Sequence, residues 1–350
     1  MEYKYVIGLM SGTSLDGVDL VYTQWNGVGD VTLLKGETFP YSGEWIRELS
    51  TVSDYPRGDK QLHDIDVRLG QYYGHLVSEF ISKHHINKVD AIASHGHTVH
   101  HQPEIGYTLQ IGSGKEIFNL TRIKTVYNFR AQDVFLGGQG APLVPVGDHL
   151  LFSAYDYCLN LGGFSNVSYD HNGVRKAFDI CPVNTVLNFY ARHLGYEYDK
   201  GGVLSRQGHV CSPLLSALNH LPFYKQTIPK SLGVEFLNQE VYPLMKSYGL
   251  SEVDLMRTFV EHIANQISNT LKKGKVLVTG GGAYHDFLIG RIKELNPDLE
   301  IFIPSDELIE YKEALIFALL GKLRLANEVN CLASVTGARK DHSSGEVCGS

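Results

Sequence analysis

Apolar residues in this chain fall into two rhythms. Short apolar runs of strand length alternate with longer segments in which they return every three or four positions. Residues 3–9 read as a buried strand, 10–17 as a turn and 18–22 as the returning strand. Residues 31–39 suit a third strand, 59–84 a long helix, and 89–94 and 108–111 two short strands. The second half opens in the same way. Residues 155–161 read as a strand, 162–166 as a turn and 167–169 as its return, before a helix at 184–194. The clearest helix is 251–271, where Met256, Phe259, Val260, Ile263, Ile267 and Leu271 repeat at the spacing of one buried face. A strand at 275–279, a helix near 284–295 and a last helix at 311–326 follow.

This alternation is the signature of an α/β chain. Its length of 350 residues predicts two domains. Gly and Pro concentrate in GGQGAPLVPVG, residues 137–147, which suits either a hinge between halves or an ordinary long loop. Hydrophobic residues at 43% and charged residues at 20% are ordinary for a globular protein. A net charge of −7 without a Lys/Arg block argues against a nucleic-acid partner. No secretory leader is legible, and the longest strongly apolar stretch, near 314–320, is too short to cross a bilayer. Five scattered cysteines without a CxxC pair predict a reducing, cytoplasmic setting rather than disulfides or a zinc ribbon.

Candidate chemistry sits in the turns. The run from Gly8 to Asp19, GLMSGTSLDGVD, places small residues where backbone N–H groups can approach phosphate oxygens, with Ser11, Thr13 and Ser14 adding hydroxyl donors. Asp16 and Asp19 would repel phosphate directly but can hold Mg²⁺ or its waters. A plain β-hairpin turn stabilised by Asp and Gly is the alternative reading of the segment alone. Residues 160–167, NLGGFSNV, repeat the idea, and two such hairpins suggest a two-sided phosphate clamp. Gly280, Gly281 and Gly282 end a strand at a helix start, where a flat or anionic ligand can meet backbone. A dinucleotide fingerprint fails there because His285 stands at its third glycine position. The P-loop-like Gly112–Lys115 run also fails, at Leu109 and Glu116.

The histidine-rich run SHGHTVHHQP, residues 94–103, has no HExxH pattern and no nearby set of carboxylates or cysteines to complete a metal site. A loop lining a sugar site suits it better than a metal centre, with a polar loop of no role as the plain alternative. Asp179 is expected just after a strand and before a helix, where partial desolvation would make it a better base. A turn-forming Asp fits the same position.

In order along nearly the whole chain, GLMSGTSLDGVD, SHGHTVHHQP, TLQIGSG, YNFRAQDVFLGGQGAPLVP, LNLGGFSNVS, AFDICPVN, PKSLGVEF, VTGGGAYHDFL, EALIFALLGKL and SVTGA resemble the anhydro-N-acetylmuramic acid kinases. The resemblance implies an actin-like, ribonuclease H-like ATPase fold of two α/β lobes with a cleft between them. Lobe I would span 1–140, rejoined by 330–350, and lobe II 141–329. It implies ATP and Mg²⁺, a small-molecule sugar substrate and no nucleic-acid or membrane partner. A homodimer is compatible with it. Ser11, Gly12, Thr13, Ser14, Asp16, Gly17 and Asp19 match the first phosphate loop, with Asp16 on Mg²⁺ through water. Gly162, Gly163 and Asn166 match the second phosphate hairpin, and Gly280, Gly281 and Gly282 the adenosine side. His97, Thr98, Arg130, Asp133 and Glu313 match sugar-pocket positions, with Arg130 the candidate for the lactyl carboxylate. Asp179 matches the base that activates water. Many members read FDTGPGN where this chain has Ile180, Cys181 and Val183, and side chains there would obstruct any backbone needing positive φ. A superfamily kinase acting on a free sugar hydroxyl and a non-catalytic ATP-driven switch are the competing readings.

Overall fold

A computed structural model describes residues 3–12 and 15–349. Two compact units divide it, Met1–Leu151 with Tyr311–Ser350, and Phe152–Glu310. The divisions therefore fall at 151/152 and 310/311, not at the expected 140/141 and 329/330. Packing within the first unit explains the shift. The helix Val144–Leu151 belongs to it, because Gly147 lies against Ile316 and Asp148 pairs with Lys312 at 2.7 Å. Residues 137–140 are likewise tied inside that unit, by Gln139 N–H to the Thr336 carbonyl and Arg339 N–H to the Leu136 carbonyl. They form a fastened loop, not a crossing between units.

The first unit contains β1 (Tyr5–Ser11), β2 (Gly17–Trp25), β3 (Val31–Pro40), β4 (Ala91–Ser94), β5 (His97–Gln102), β6 (Tyr107–Ile111) and β7 (Thr125–Tyr127). In its main sheet β1, β2 and β3 form an antiparallel meander. β4 lies parallel to β1 and β7 parallel to β4, and the strand Glu346–Cys348 closes the far edge. β5 and β6 form a separate hairpin. The histidine run is thus a strand rather than a loop, because its residues pair with 107–111.

The second unit repeats the order with β8 (Tyr157–Leu161), β9 (Phe164–His171), β10 (Val174–Pro182), β11 (Gly274–Thr279) and β12 (Leu299–Phe302). β8, β9 and β10 are the antiparallel meander, with β11 parallel to β8 and β12 parallel to β11. A meander whose first strand is then flanked by two parallel strands is the actin-like, ribonuclease H-like arrangement. Both units have it. Parallel neighbours need helical crossovers, and the long helices supply them.

Each core follows from periodicity. In the first unit Leu62, Ile65, Leu69, Tyr73 and Val77 of the helix Lys60–Lys83 bury against Ile7, Leu9, Val18 and Leu20. Asp59 caps this helix, accepting from Gln61 N–H at 2.7 Å. In the second unit the helix Glu252–Thr270 buries Met256, Phe259, Val260, Ile263 and Ile267 with Leu159, Leu161 and Val167. Ser251 caps it by accepting from Asp254 N–H. The helix Asp306–Leu325 is buried on most sides from Ala314 to Leu320, and β1 reaches its backbone only because residue 8 is glycine. A Cβ at Gly8 would run into the Ala314 carbonyl oxygen. No helix among the described residues is long and apolar enough to cross a membrane.

Gly8→Ala should therefore destabilise the first unit by about 1–3 kcal/mol through overpacking. Both tryptophans, Trp25 and Trp45, lie in this unit, so urea denaturation followed by tryptophan fluorescence reads it directly. An unchanged midpoint would show that the strand–helix contact relaxes freely.

Candidate active site

In the second unit the glycine hairpin is held by backbone. Val183 N–H donates to the Gly163 carbonyl at 2.8 Å, Asn184 N–H to the Gly162 carbonyl at 3.2 Å, and Thr185 N–H to Gly163 at 3.3 Å. The Asn184 side chain donates to the Leu161 carbonyl at 3.0 Å. The turn between β8 and β9 is thereby seated on the first turn of the helix Asn184–His193. Gly280 and Gly282 close on the same place. Gly280 has φ +80°, and a Cβ there would lie 2.5 Å from Asn160 Oδ1. One on Gly282 would lie 2.7 Å from Leu161 Cβ, whereas Gly281 stays open. Gly162, Gly163 and Gly280–Gly282 are thus brought together, while Asn166 is exposed on β9 opposite Asn160.

Asp179 lies within β10, not after a strand as expected, and pairs with Asn166. The register slips between Asp179 and Cys181, a bulge of the kind that re-aims side chains beside active sites. Asp179 N–H donates to the Lys230 carbonyl at 2.9 Å, and Leu232 N–H donates to Asp179 Oδ2 at 2.8 Å. Desolvation raises the Asp179 carboxyl above its ordinary range, and the Leu232 hydrogen bond opposes this in part. Lys230 and Leu232 belong to PKSLGVEF, a motif visible in the sequence whose positioning role was not.

The three family departures point into the core. Ile180, Cys181 and Val183 are at most 2% exposed. Val183 has φ −133°, and Cys181 is also outside the positive-φ positions, so the feared backbone conflict does not arise. The Cys181 thiol is pushed up to about 12 by burial and lies 3.3 Å from Ser165 Oγ.

In the first unit Ser11 belongs to β1 itself and is buried. Its hydroxyl is 2.7 Å from Tyr41 OH and 3.4 Å from His97 Nδ1, and Tyr41 OH is 2.8 Å from Tyr73 OH. Ser11 is therefore engaged inside the unit, not presented as a surface donor. Burial lowers His97 to about 4 and raises Tyr41 to about 12, so both are neutral at neutral pH. Gly12 ends the strand, Gly17 starts β2, Asp16 is exposed, and Asp19 accepts from Thr38 Oγ1 at 2.6 Å. Thr13 and Ser14 lie outside the described residues. Thr98 is half-buried on β5, 3.5 Å from Gln110 Nε2.

Arg130 donates from Nε to His95 Nε2 at 3.0 Å and from a terminal nitrogen to the Gly140 carbonyl at 2.7 Å. His95 Nδ1 donates to the Gly96 carbonyl, and desolvation together with Arg130 keeps the ring neutral. Glu313 keeps contact with solvent, yet desolvation raises its carboxyl while Arg130 and Lys312 pull it down. Asp133, expected at the sugar, is fully buried. Its carboxylate accepts from Gly140 N–H at 2.7 Å and Thr336 Oγ1 at 2.8 Å, so it holds a loop and has no accessible surface for a sugar.

A family model described as anhydro-N-acetylmuramic acid kinase matches residues 4–349. The anhydro-N-acetylmuramic acid kinase of Mannheimia succiniciproducens is 35% identical over 378 residues, with 99% of each chain covered. That of Francisella tularensis subsp. novicida is 34% identical over 377 residues, again with 99% of each covered. Among solved structures, component A of the Acidaminococcus fermentans (R)-2-hydroxyglutaryl-CoA dehydratase is similar at a TM-score of 0.48 and 14% identity, covering 92% of this chain and 99% of that one. A likeness of that size says nothing of activity. The full-length matches at above 30% identity decide the matter: the chain belongs to the anhydro-N-acetylmuramic acid kinase family and is an ATP-dependent sugar kinase.

Proposed function

We propose that this kinase opens and phosphorylates 1,6-anhydro-N-acetylmuramic acid in one reaction, as a step of cell-wall recycling. Water adds at the anomeric carbon and its proton passes to Asp179. The bond from that carbon to O6 breaks, and O6 takes the γ-phosphoryl group of ATP. The products are N-acetylmuramic acid 6-phosphate and ADP. An alkoxide is a poor leaving group, and coupling its departure to phosphoryl transfer avoids freeing it.

The setting of Asp179 carries this reading. Its carboxylate is half-buried, anchored by Leu232 N–H on one oxygen, and Oδ1 has no protein donor among the described residues. Desolvation makes it a stronger base than a surface Asp. Gly12 and Gly17 on one loop, and Gly162, Gly163 and Asn166 on the other, are assigned to the phosphates of ATP, and Gly280–Gly282 to its adenosine. The exposed Asp16 carboxylate suits a hard cation, and it would hold Mg²⁺ through water. When bound, Mg²⁺ neutralises charge on the phosphates. His97, Thr98, Arg130 and Glu313 are assigned to the sugar. The reaction is placed in the cytoplasm, where ATP is made and where free cysteines persist.

Asp179→Asn should lower kcat by about 10²–10⁴-fold in an ADP-release assay with the anhydro sugar. Because folding raises this pKa, the carboxyl favours the folded state at low pH and loses that contribution as pH rises. The amide should therefore melt no lower than wild type at neutral pH in scanning calorimetry. A wild-type rate in this variant would remove Asp179 as the base. For the unmodified enzyme, kcat/KM should fall as pH drops through the Asp179 pKa, with its inflection above the ordinary value of about 3.9. An inflection at or below that value would contradict a desolvated base. Turnover in heavy-oxygen water should place one solvent oxygen in the sugar product, read by mass spectrometry. Turnover of open sugars without that label would favour simple hydroxyl phosphorylation.

A further inference from the structure

We propose that Asp133, Cys331 and His342 form a binding site for a zinc-class divalent cation that fastens the C-terminal segment to the 137–140 loop. The three come from distant parts of the first unit. Cys331 and His342 face each other across a short antiparallel bridge, with Cys331 N–H to the His342 carbonyl at 3.1 Å and the reverse bond at 3.2 Å. Directly opposed residues send their side chains to the same face. The short helix Ala131–Phe135 delivers Asp133 to that face. One ligand atom from each residue lies within 4.8 Å of the others, and all three side chains are buried.

Histidine 342 supplies a second, independent pointer. Its Nδ1 donates to the Lys340 carbonyl at 3.1 Å, so in the neutral ring the lone pair is on Nε2. That Nε2 is buried and has no hydrogen-bond partner among the described residues, and it points at Asp133 Oδ1, 3.6 Å away. A ring nitrogen fixed on a backbone carbonyl with the other nitrogen turned to a ligand set is the usual posture of a metal-bound His. Cys331 Sγ lies 3.1 Å from the same Oδ1. A tetrahedral zinc ion, with bonds of about 2.0–2.3 Å, spaces its donors roughly 3.3–3.7 Å apart. The two separations from Asp133 Oδ1, 3.1 Å to Cys331 Sγ and 3.6 Å to His342 Nε2, lie within tenths of an ångström of that spacing.

Thiolate and imidazole together select zinc over magnesium, so this ion is distinct in kind from the one proposed for ATP. Without metal, burial and the adjacent carboxylate keep Cys331 as a thiol, whose S–H donates to Asp133. Binding releases that proton to solvent and replaces the S–H···O contact with two bonds to the ion. Asp133 Oδ2 keeps its bond from Gly140 N–H, and the Gly140 carbonyl keeps Arg130. The cation would thus stiffen the loop that holds Arg130, acting as a positioning element and not as a reactant.

The full chain, purified under reducing conditions, incubated with zinc and desalted, should retain about one zinc per chain by elemental mass spectrometry. Cobalt added to the metal-free protein should give thiolate-to-cobalt charge-transfer absorption in the near ultraviolet. Cys331→Ser should lose that band while keeping its circular dichroism, and His342→Asn should lose the retained zinc. Folded wild type that retains no zinc overturns the proposal, as does cobalt bound without the thiolate band. If either variant fails to fold, stoichiometry and the cobalt spectrum of the wild type decide alone.

Discussion

Three backbone N–H groups, those of Val183, Asn184 and Thr185, donate to the carbonyls of Gly162 and Gly163, and the form of the second unit's glycine turn hangs on them. The first N–H groups of any helix lack partners within it. Here the helix Asn184–His193 spends them on a neighbouring turn. This welds the hairpin of β8 and β9 to the exit of β10. It leaves no room for error at the joint, which is why Gly280 and Gly282 must be bare where they meet Asn160 and Leu161. A turn proposed to meet phosphate gains from being rigid before the ligand arrives, because ordering it afterwards would consume binding energy.

The same weld explains how the motif around Asp179 tolerates change. Many family members place glycines where this chain has Cys181 and Val183. Both side chains turn inward and join the core beside Val186, Leu187 and Phe259. The bulge after Asp179 keeps the carboxylate out of that core, and Lys230 and Leu232 hold its backbone and one oxygen. Side-chain identity beneath the strand can therefore drift while the carboxylate stays in place.

The first unit relies on a buried polar chain instead. Arg130 bonds His95 and Gly140, and Gly140 bonds Asp133, which meets Cys331 and Thr336. Buried charges are costly unless hydrogen bonds replace lost water. Every link in this chain supplies one. The arrangement ties three stretches of sequence into one rigid wall, and Arg130 is aimed by it.

Local pattern in the sequence was enough for the repeated strand–turn–strand openings and for the long helices. Period and capping are short-range, so Ser251 and the apolar face from Met256 to Ile267 announce the helix Glu252–Thr270 almost to the residue. The family motifs carried the glycine turns. Tertiary structure alone decided the rest. It buried Ser11 against Tyr41, made a strand of the histidine run, moved the unit boundaries to 151 and 310, and closed Asp133 off from any sugar. Asp133 meets Cys331 across 198 positions and Thr336 across 203. No periodicity spans such distances, because a side chain's partners at that range are set by how sheets and helices stack and not by its neighbours along the chain.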